Sequence, residues 1–131
     1  MPIDHVKLPV TDLAASRDFY SAALAPFGYR LVWDQEPTLG FGMGDGGDDD
    51  EPFAVERYDQ LVVRAHVAFK ASSTSQVDAF YAAAMAAGGV DNGAPGDRPY
   101  GEIYYAAFVL DPDGHNIEAV FHGTPSESSD L

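Results

Sequence analysis

The amino-acid sequence repeats itself at a spacing of 61 residues, and each copy begins with a histidine. Without a gap, His5 aligns with His66, and the pair Phe19-Tyr20 aligns with Phe80-Tyr81. A solenoid needs at least about three repeats to bury its faces, so two long copies predict two supersecondary units that share one core. Such an arrangement brings matched positions together at its centre, and the matched polar residue is histidine.

The composition indicates a globular domain with a strong negative charge. Apolar residues make up 46% of the 131 positions, and the formal net charge is −14. This charge argues against nucleic acid or an anionic membrane as a partner, since little neutralises phosphates. No apolar run reaches the ~18 residues of a membrane span, and no secretory signal is recognised. The absence of cysteine excludes disulfides and fits a cytoplasmic protein.

Hydrophobic periodicity predicts the order β-α-β-β-β in each copy. The first copy has a strand over 3–10, a helix capped by Thr11 or Asp12, and strand candidates over 29–33, 39–43 and 53–58. The second has a strand over 61–71, a helix capped by Ser73, a loop-rich stretch over 90–99 with one short strand candidate, and strands over 104–110 and 116–122. We therefore expect one α+β domain over 1–131, with modules at about 3–60 and 61–122. The acidic run 45–51 is predicted to be a solvated loop and 124–131 a frayed tail.

Strand parity selects the candidate site residues. In each first strand the apolar side chains, such as Val6, Leu8 and Val10 in the first copy, must cover the helix. His5 and His66 therefore project from the opposite face. In the last strand the same alternation directs Glu118 away from the helix. Strict 61-residue spacing would align Arg57 with Glu118, but parity favours Glu56, which a one-residue difference in a loop would allow.

Two histidines and one or two glutamates on one face are a metal-ligand set. Two imidazoles and one carboxylate with open positions are typical of non-haem Fe(II) oxygenases. A second carboxylate gives a set that suits Zn(II), Ni(II), Co(II) or Mn(II) and leaves room for water or substrate. A lone histidine in a strand is more often a structural residue, and the repeat weakens that alternative here. His115 lies beside a turn and is expected at the surface.

The same residues resemble the vicinal oxygen chelate superfamily, which includes glyoxalase I, bleomycin-resistance proteins and extradiol dioxygenases. The matching segments are residues 4–13, Phe19-Tyr20, 66–69 and the turn-strand motif 111–118. The resemblance implies two βαβββ modules whose mixed sheet curves around a central cavity. It also implies a divalent metal held by His5, His66 and Glu118, with Glu56 as a fourth ligand.

These features leave two functions open. The first is a metal-dependent enzyme that acts on a small oxygenated substrate, with Glu118 or Glu56 also serving as the base. Tyr104, Tyr105 and Arg98 would then lie at the cavity edge. The second is a metal-free protein that sequesters a cationic or amphipathic small molecule, as bleomycin-resistance proteins do. For either function we expect a homodimer.

Overall fold

The computed structural model describes residues 4–44, 52–60, 64–99 and 103–123. The acidic run 45–51 and the predicted tail 124–131 therefore lie outside the described residues. The first module contains β1 (Val6–Val10), α1 (Leu13–Leu24), a 3₁₀ turn (Ala25–Phe27), β2 (Arg30–Gln35), β3 (Thr38–Gly42) and β4 (Phe53–Arg57). The second contains β5 (His66–Lys70), α2 (Thr74–Ala86), β6 (Val90–Asp91), β7 (Gly96–Asp97), β8 (Tyr105–Leu110) and β9 (Asn116–Phe121).

The strands form two mixed sheets, one in each module. The first sheet has the order β1-β4-β3-β2, and the second has the order β5-β9-β8-β6, with β7 also paired to β8. In each sheet the first strand runs parallel to the last strand of its module. The predicted α+β class is confirmed, as two open, curled sheets with two helices. The second module departs from the first in one respect, since its second strand is divided into β6 and β7.

Both helices begin at the side chains that the sequence indicated. The Asp12 carboxylate accepts a hydrogen bond from the Ala15 N–H at 3.1 Å, and the Ser73 hydroxyl accepts one from the Gln76 N–H at 3.1 Å. Each bond pairs one of the backbone donors that a helix start leaves without an intrahelical acceptor. Asp12, and not Thr11, therefore caps α1.

The helix-facing sides of the two sheets share one hydrophobic core. Leu8 and Val10 are buried in β1, as the alternation predicted. Across the module boundary, the ring of Phe69 in β5 lies 5.2 Å from the ring of Phe53 and 5.8 Å from that of Phe27. The core thus holds the helix faces of the modules together, while the opposite face of each sheet carries the candidate site residues.

The turn between β8 and β9 fastens the second module to the first. The Asp113 carboxylate accepts a hydrogen bond from the Thr11 N–H at 3.0 Å and another from the Thr11 hydroxyl at 2.5 Å. The Tyr20 hydroxyl donates to Asp111 at 2.6 Å in the interior. Burial, and then the nearby Asp111 carboxylate, raise the pKa of Tyr20 well above its ordinary value. We call residues 111–115 the latch turn.

His115 belongs to this latch turn, and the expectation that it lies at the surface was wrong. Its side chain is 0% exposed. Nδ1 accepts a hydrogen bond from the Ala65 N–H at 2.9 Å, so Nε2–H donates to the Pro9 carbonyl at 2.6 Å. The imidazole therefore joins the end of β1 to the start of β5. The reason lies in the curl of the sheets, which carries the turn over β1.

Candidate functional site

The non-helix face of the second sheet brings together His66 and Glu118. In the parallel pairing of β5 with β9, Glu118 lies opposite Ala68, two residues beyond His66. Alternate residues of a strand share a face, so the two side chains point the same way. His66 Nε2 lies 2.8 Å from Glu118 Oε1, and Glu118 is only 1% exposed. A buried carboxylate is thus paired with a half-exposed imidazole.

Tyr104 and Phe108 complete the surroundings of Glu118. The Tyr104 hydroxyl donates to Glu118 Oε2 at 2.5 Å, so each carboxylate oxygen has its own partner. Phe108 in β8 lies directly opposite Glu118 in β9, and its ring centroid is 6.2 Å from that of His66. These contacts fix the carboxylate and cover it, while the imidazole stays open to solvent.

Two further residues expected at a cavity edge have different positions. The Arg98 guanidinium lies over the Phe108 ring at 5.4 Å from its centroid, which places it beside the His66–Glu118 pair. Tyr105 instead turns to the helix side, where its hydroxyl donates to Asp78 at 2.7 Å. Burial, and then this hydrogen bond, raise the pKa of Tyr105 to about 12.

His5 lies on the first sheet, away from this pair. Its side chain is 59% exposed, and Nδ1 lies 2.8 Å from the neighbouring Asp4 carboxylate. It immediately precedes β1, in which Lys7 shares its face and Val6 points to the core. Alternation along the strand therefore places His5 on the same face as Lys7, away from the core.

Glu56 is held by groups of its own module. Its Oε1 accepts hydrogen bonds from the Lys7 ammonium and from the Thr38 hydroxyl, each at 3.2 Å. The hydrogen bond from Lys7, followed by one from Tyr58, holds the pKa of Glu56 below its ordinary value. The lowered pKa favours the ionised form of Glu56, and its Oε1 is already bound by an ammonium group.

The strand register shows which residue of the first module corresponds to Glu118. Lys7 lies opposite Ala54 in β1 and β4, just as Ala68 lies opposite Glu118 in β5 and β9. The counterpart of Glu118 in the first module is thus Ala54 and not Glu56. The prediction that a one-residue difference in a loop aligns Glu56 with Glu118 was wrong. Glu56 lies opposite Pro9, four residues beyond His5, which at ~3.3 Å per residue is about 13 Å along the strand.

The four predicted ligands do not form one cluster within a single chain. Among the described ranges, no group of three or more His, Asp or Glu side chains is placed to hold a metal ion. The His66–Glu118 pair supplies one nitrogen and one oxygen donor, whereas a catalytic zinc site has three protein ligands. The pair fits part of a metal centre, and a complete centre needs a donor from outside this cluster.

Lys7 and Phe108 lie beside candidate site residues without having been predicted to do so. Lys7 was recognisable from parity alone, because it alternates with Val6 and shares the face of Glu56. Phe108 required the hairpin register: once the turn at Asp111 joins β8 to β9, Phe108 must lie opposite Glu118.

Neither described helix has the length and apolarity that crossing a membrane requires.

Each module follows the order βαβββ and forms one curled mixed sheet, and the second sheet carries a histidine and a carboxylate on its open face. These features define a class of protein. The family model described as Glyoxalase/Bleomycin resistance protein/Dioxygenase superfamily matches residues 2–119. The chain therefore belongs to this superfamily. No curated protein matches the chain.

Solved structures support the same assignment. A glyoxalase/bleomycin resistance protein from Albidiferax ferrireducens T118 is 29% identical, with a TM-score of 0.76, and the match covers 92% of this chain and 98% of that one. A glyoxalase-related enzyme from Fulvimarina pelagi is 20% identical, with a TM-score of 0.69 and coverage of 98% and 96%. TioX from Micromonospora sp. ML1 is 22% identical, with a TM-score of 0.66 and coverage of 90% and 96%. The last two share the fold alone.

Proposed function

We propose that this protein is a metal-dependent enzyme that acts on a small oxygenated molecule at the His66–Glu118 pair. The observation that carries the proposal is the 2.8 Å approach of an imidazole nitrogen to a carboxylate that is almost wholly buried. Charged groups are rarely buried unless they are paired or bind a metal. Membership of the superfamily supports a small-molecule ligand, and the absence of cysteine is consistent with a cytoplasmic setting.

The residues around the pair have distinct tasks in this proposal. Tyr104 holds Oε2 of Glu118, which leaves Oε1 directed at the open side with His66 Nε2. Phe108 excludes water from one flank of the pair. A divalent Fe, Zn, Ni, Co or Mn ion, when bound, would polarise a substrate oxygen. Glu118, or Glu56, could also accept a proton from the substrate.

The remaining ligands are proposed to come from a second copy of the chain. His5 is exposed immediately before β1 of the other sheet, and among the described residues its ion-pair partner is Asp4. A homodimer that places the first sheet of one copy over the second sheet of the other would bring His5 to the His66–Glu118 pair. Glu56 lies four residues along the strands from His5, so it would join as a fourth ligand only if its carboxylate left Lys7 and Thr38 and moved toward His5.

Metal content tests the first part of this proposal. The protein, purified without a histidine tag and reconstituted with each metal, is expected to retain one equivalent by elemental analysis, and His66→Ala is expected to lose it. His122→Ala is the matched control, because His122 is an exposed histidine of the same module whose ring packs edge to face against Tyr104. Failure of the unmodified protein to retain any of the five metals would contradict the enzyme proposal.

A mixing experiment tests whether the site is shared between copies. His5→Ala and His66→Ala are each expected to bind no metal alone. If the site is composite, a mixed dimer contains one site with both histidines, so mixing and re-equilibration restores about a quarter of the metal. If each chain built its own site, mixing would restore nothing. Size-exclusion chromatography with light scattering establishes that both variants form dimers.

The role of Glu56 can be separated by changing Lys7. Lys7→Met removes the competing ammonium and keeps the apolar stem, so Co(II) should bind more tightly if Glu56 is a ligand. Lys7→Met combined with Glu56→Gln should lose that gain. Equal Co(II) affinity in all three proteins would exclude Glu56 from the metal site.

A second candidate function is metal-free sequestration of a cationic or amphipathic molecule. It is favoured by the engagement of Glu56 with Lys7 and by the net charge of −14. This function predicts ligand binding that survives EDTA and weakens with added salt, because salt screens the attraction. The enzyme proposal predicts instead that EDTA abolishes ligand binding.

A further inference from the structure

A cleft lies at the junction of the two modules, where the 3₁₀ turn meets the end of β5. Its volume is about 410 Å³, within the ~300–1,000 Å³ range of small-molecule sites. Its walls combine aromatic and polar residues, which are Phe27, Tyr29, Phe69, Lys70, Ser72 and Gln76. We call it the Lys70 cleft.

The Lys70 cleft is separate from the candidate metal site. Lys70 lies four residues beyond His66 in β5, which at ~3.3 Å per residue is about 13 Å along the strand. Among the described residues no carboxylate forms an ion pair with Lys70, whereas Lys7 is paired with Glu56. Within the described part of the chain, Lys70 therefore brings to an aromatic cleft a positive charge that no carboxylate pairs with.

A position beside the Lys70 cleft has a counterpart in the first module that binds a carboxylate. Ser72 corresponds to Thr11 at the spacing of 61 residues. At Thr11, the backbone N–H and the hydroxyl donate to the Asp113 carboxylate of the latch turn. At Ser72, the same two donors bind Oε1 of Gln76, at 2.7 and 3.2 Å, and the cleft stays open beside them. The first module thus receives a carboxylate at Thr11, whereas at the matching Ser72 the donors bind an amide oxygen beside the cleft that Lys70 lines.

We propose that the Lys70 cleft binds a small aromatic carboxylate. Its ring system would lie among Phe27, Tyr29 and Phe69, and its carboxylate would face the Lys70 ammonium. A cationic ligand is disfavoured by Lys70, and a multiply charged anion by the overall negative charge. The proposal does not depend on the metal site, because none of its six residues is a candidate ligand.

The test uses 2-naphthoate as the probe and the full chain as the protein. Titration followed by ¹H–¹⁵N spectra is expected to give saturable shifts at the amides of Phe69, Lys70, Ser72 and Gln76. Lys70→Met should raise the Kd for 2-naphthoate about three- to fivefold, the range of a partly exposed ion pair. The same variant should leave the Kd for neutral 2-naphthamide unchanged. Ser72→Phe, which fills the cleft from an exposed position, should abolish binding of both probes.

Arg57→Met is the matched control, since it removes one positive charge at an exposed site outside the cleft. If it weakens 2-naphthoate as much as Lys70→Met does, the effect is general electrostatics and the proposal fails. Shifts centred on His66 and Glu118 would also overturn it. So would a dimer that Ser72→Phe dissociates, because the cleft would then be an interface. Far-UV circular dichroism confirms that each variant is folded.

Discussion

Replacing His115 by phenylalanine should reveal how strongly the latch turn holds the modules together. Phenylalanine fills a similar volume but leaves the Ala65 N–H and the Pro9 carbonyl without partners. An unpaired buried polar group costs ~1–3 kcal/mol. Both groups are only partly buried, so we expect a loss of about 2–4 kcal/mol from a total of ~5–15 kcal/mol.

Equilibrium unfolding in urea, followed by far-UV circular dichroism, measures this loss as a lower midpoint at an unchanged slope. Amide exchange at Ala65 should accelerate in the variant, because its acceptor has been removed. His122→Phe, at an exposed histidine, should stay within about 0.5 kcal/mol of the unmodified protein. A loss below about 1 kcal/mol for His115→Phe, with Ala65 still protected, would refute the reasoning.

Three further outcomes follow from the hydrogen bonds and pKa shifts. Tyr20→Phe removes the donor to the buried Asp111 carboxylate and should cost ~1.5–3 kcal/mol in urea unfolding; an unchanged midpoint would contradict this. The folded state retains the Tyr105 proton up to a pKa of about 12, so stability should fall as pH rises from 10 to 12. Tyr105→Phe should reduce the corresponding fall in Tm. The pKa of Glu56 is lowered by Lys7, so its contribution is present above the ordinary glutamate pKa and is lost as pH falls. Glu56→Gln should therefore flatten the decline of Tm in acid, and an identical decline in both proteins would be a contrary result.

Much of the architecture was accessible from the sequence because alternation and capping are local signals. Leu8 and Val10 marked the buried face of β1, and Asp12 and Ser73 marked the helix starts. The interruption between β6 and β7 was less accessible, since the loop-rich segment showed only one short strand candidate. The burial of His115 was inaccessible, because it depends on how the latch turn crosses a strand about a hundred residues earlier.

The candidate site was also only partly predictable from the sequence. The common face of His66 and Glu118 followed from parity, and the structure adds the 2.8 Å distance between their atoms. The relation of Glu56 to His5 did not follow, because parity repeats every two residues and cannot distinguish Ala54 from Glu56. Only the pairing of β1 with β4 decides which of them corresponds to Glu118.

The latch turn also affects the order of events during synthesis of the chain. Pro9 and His115 are 106 residues apart, so β1 emerges from the ribosome long before the imidazole that holds its far end. At ~5–20 residues per second, this delay is about 5–20 s. During that interval the first module can pair its strands but cannot complete its contacts with the second. The strand β1 is thus translated well before the histidine that completes its anchoring.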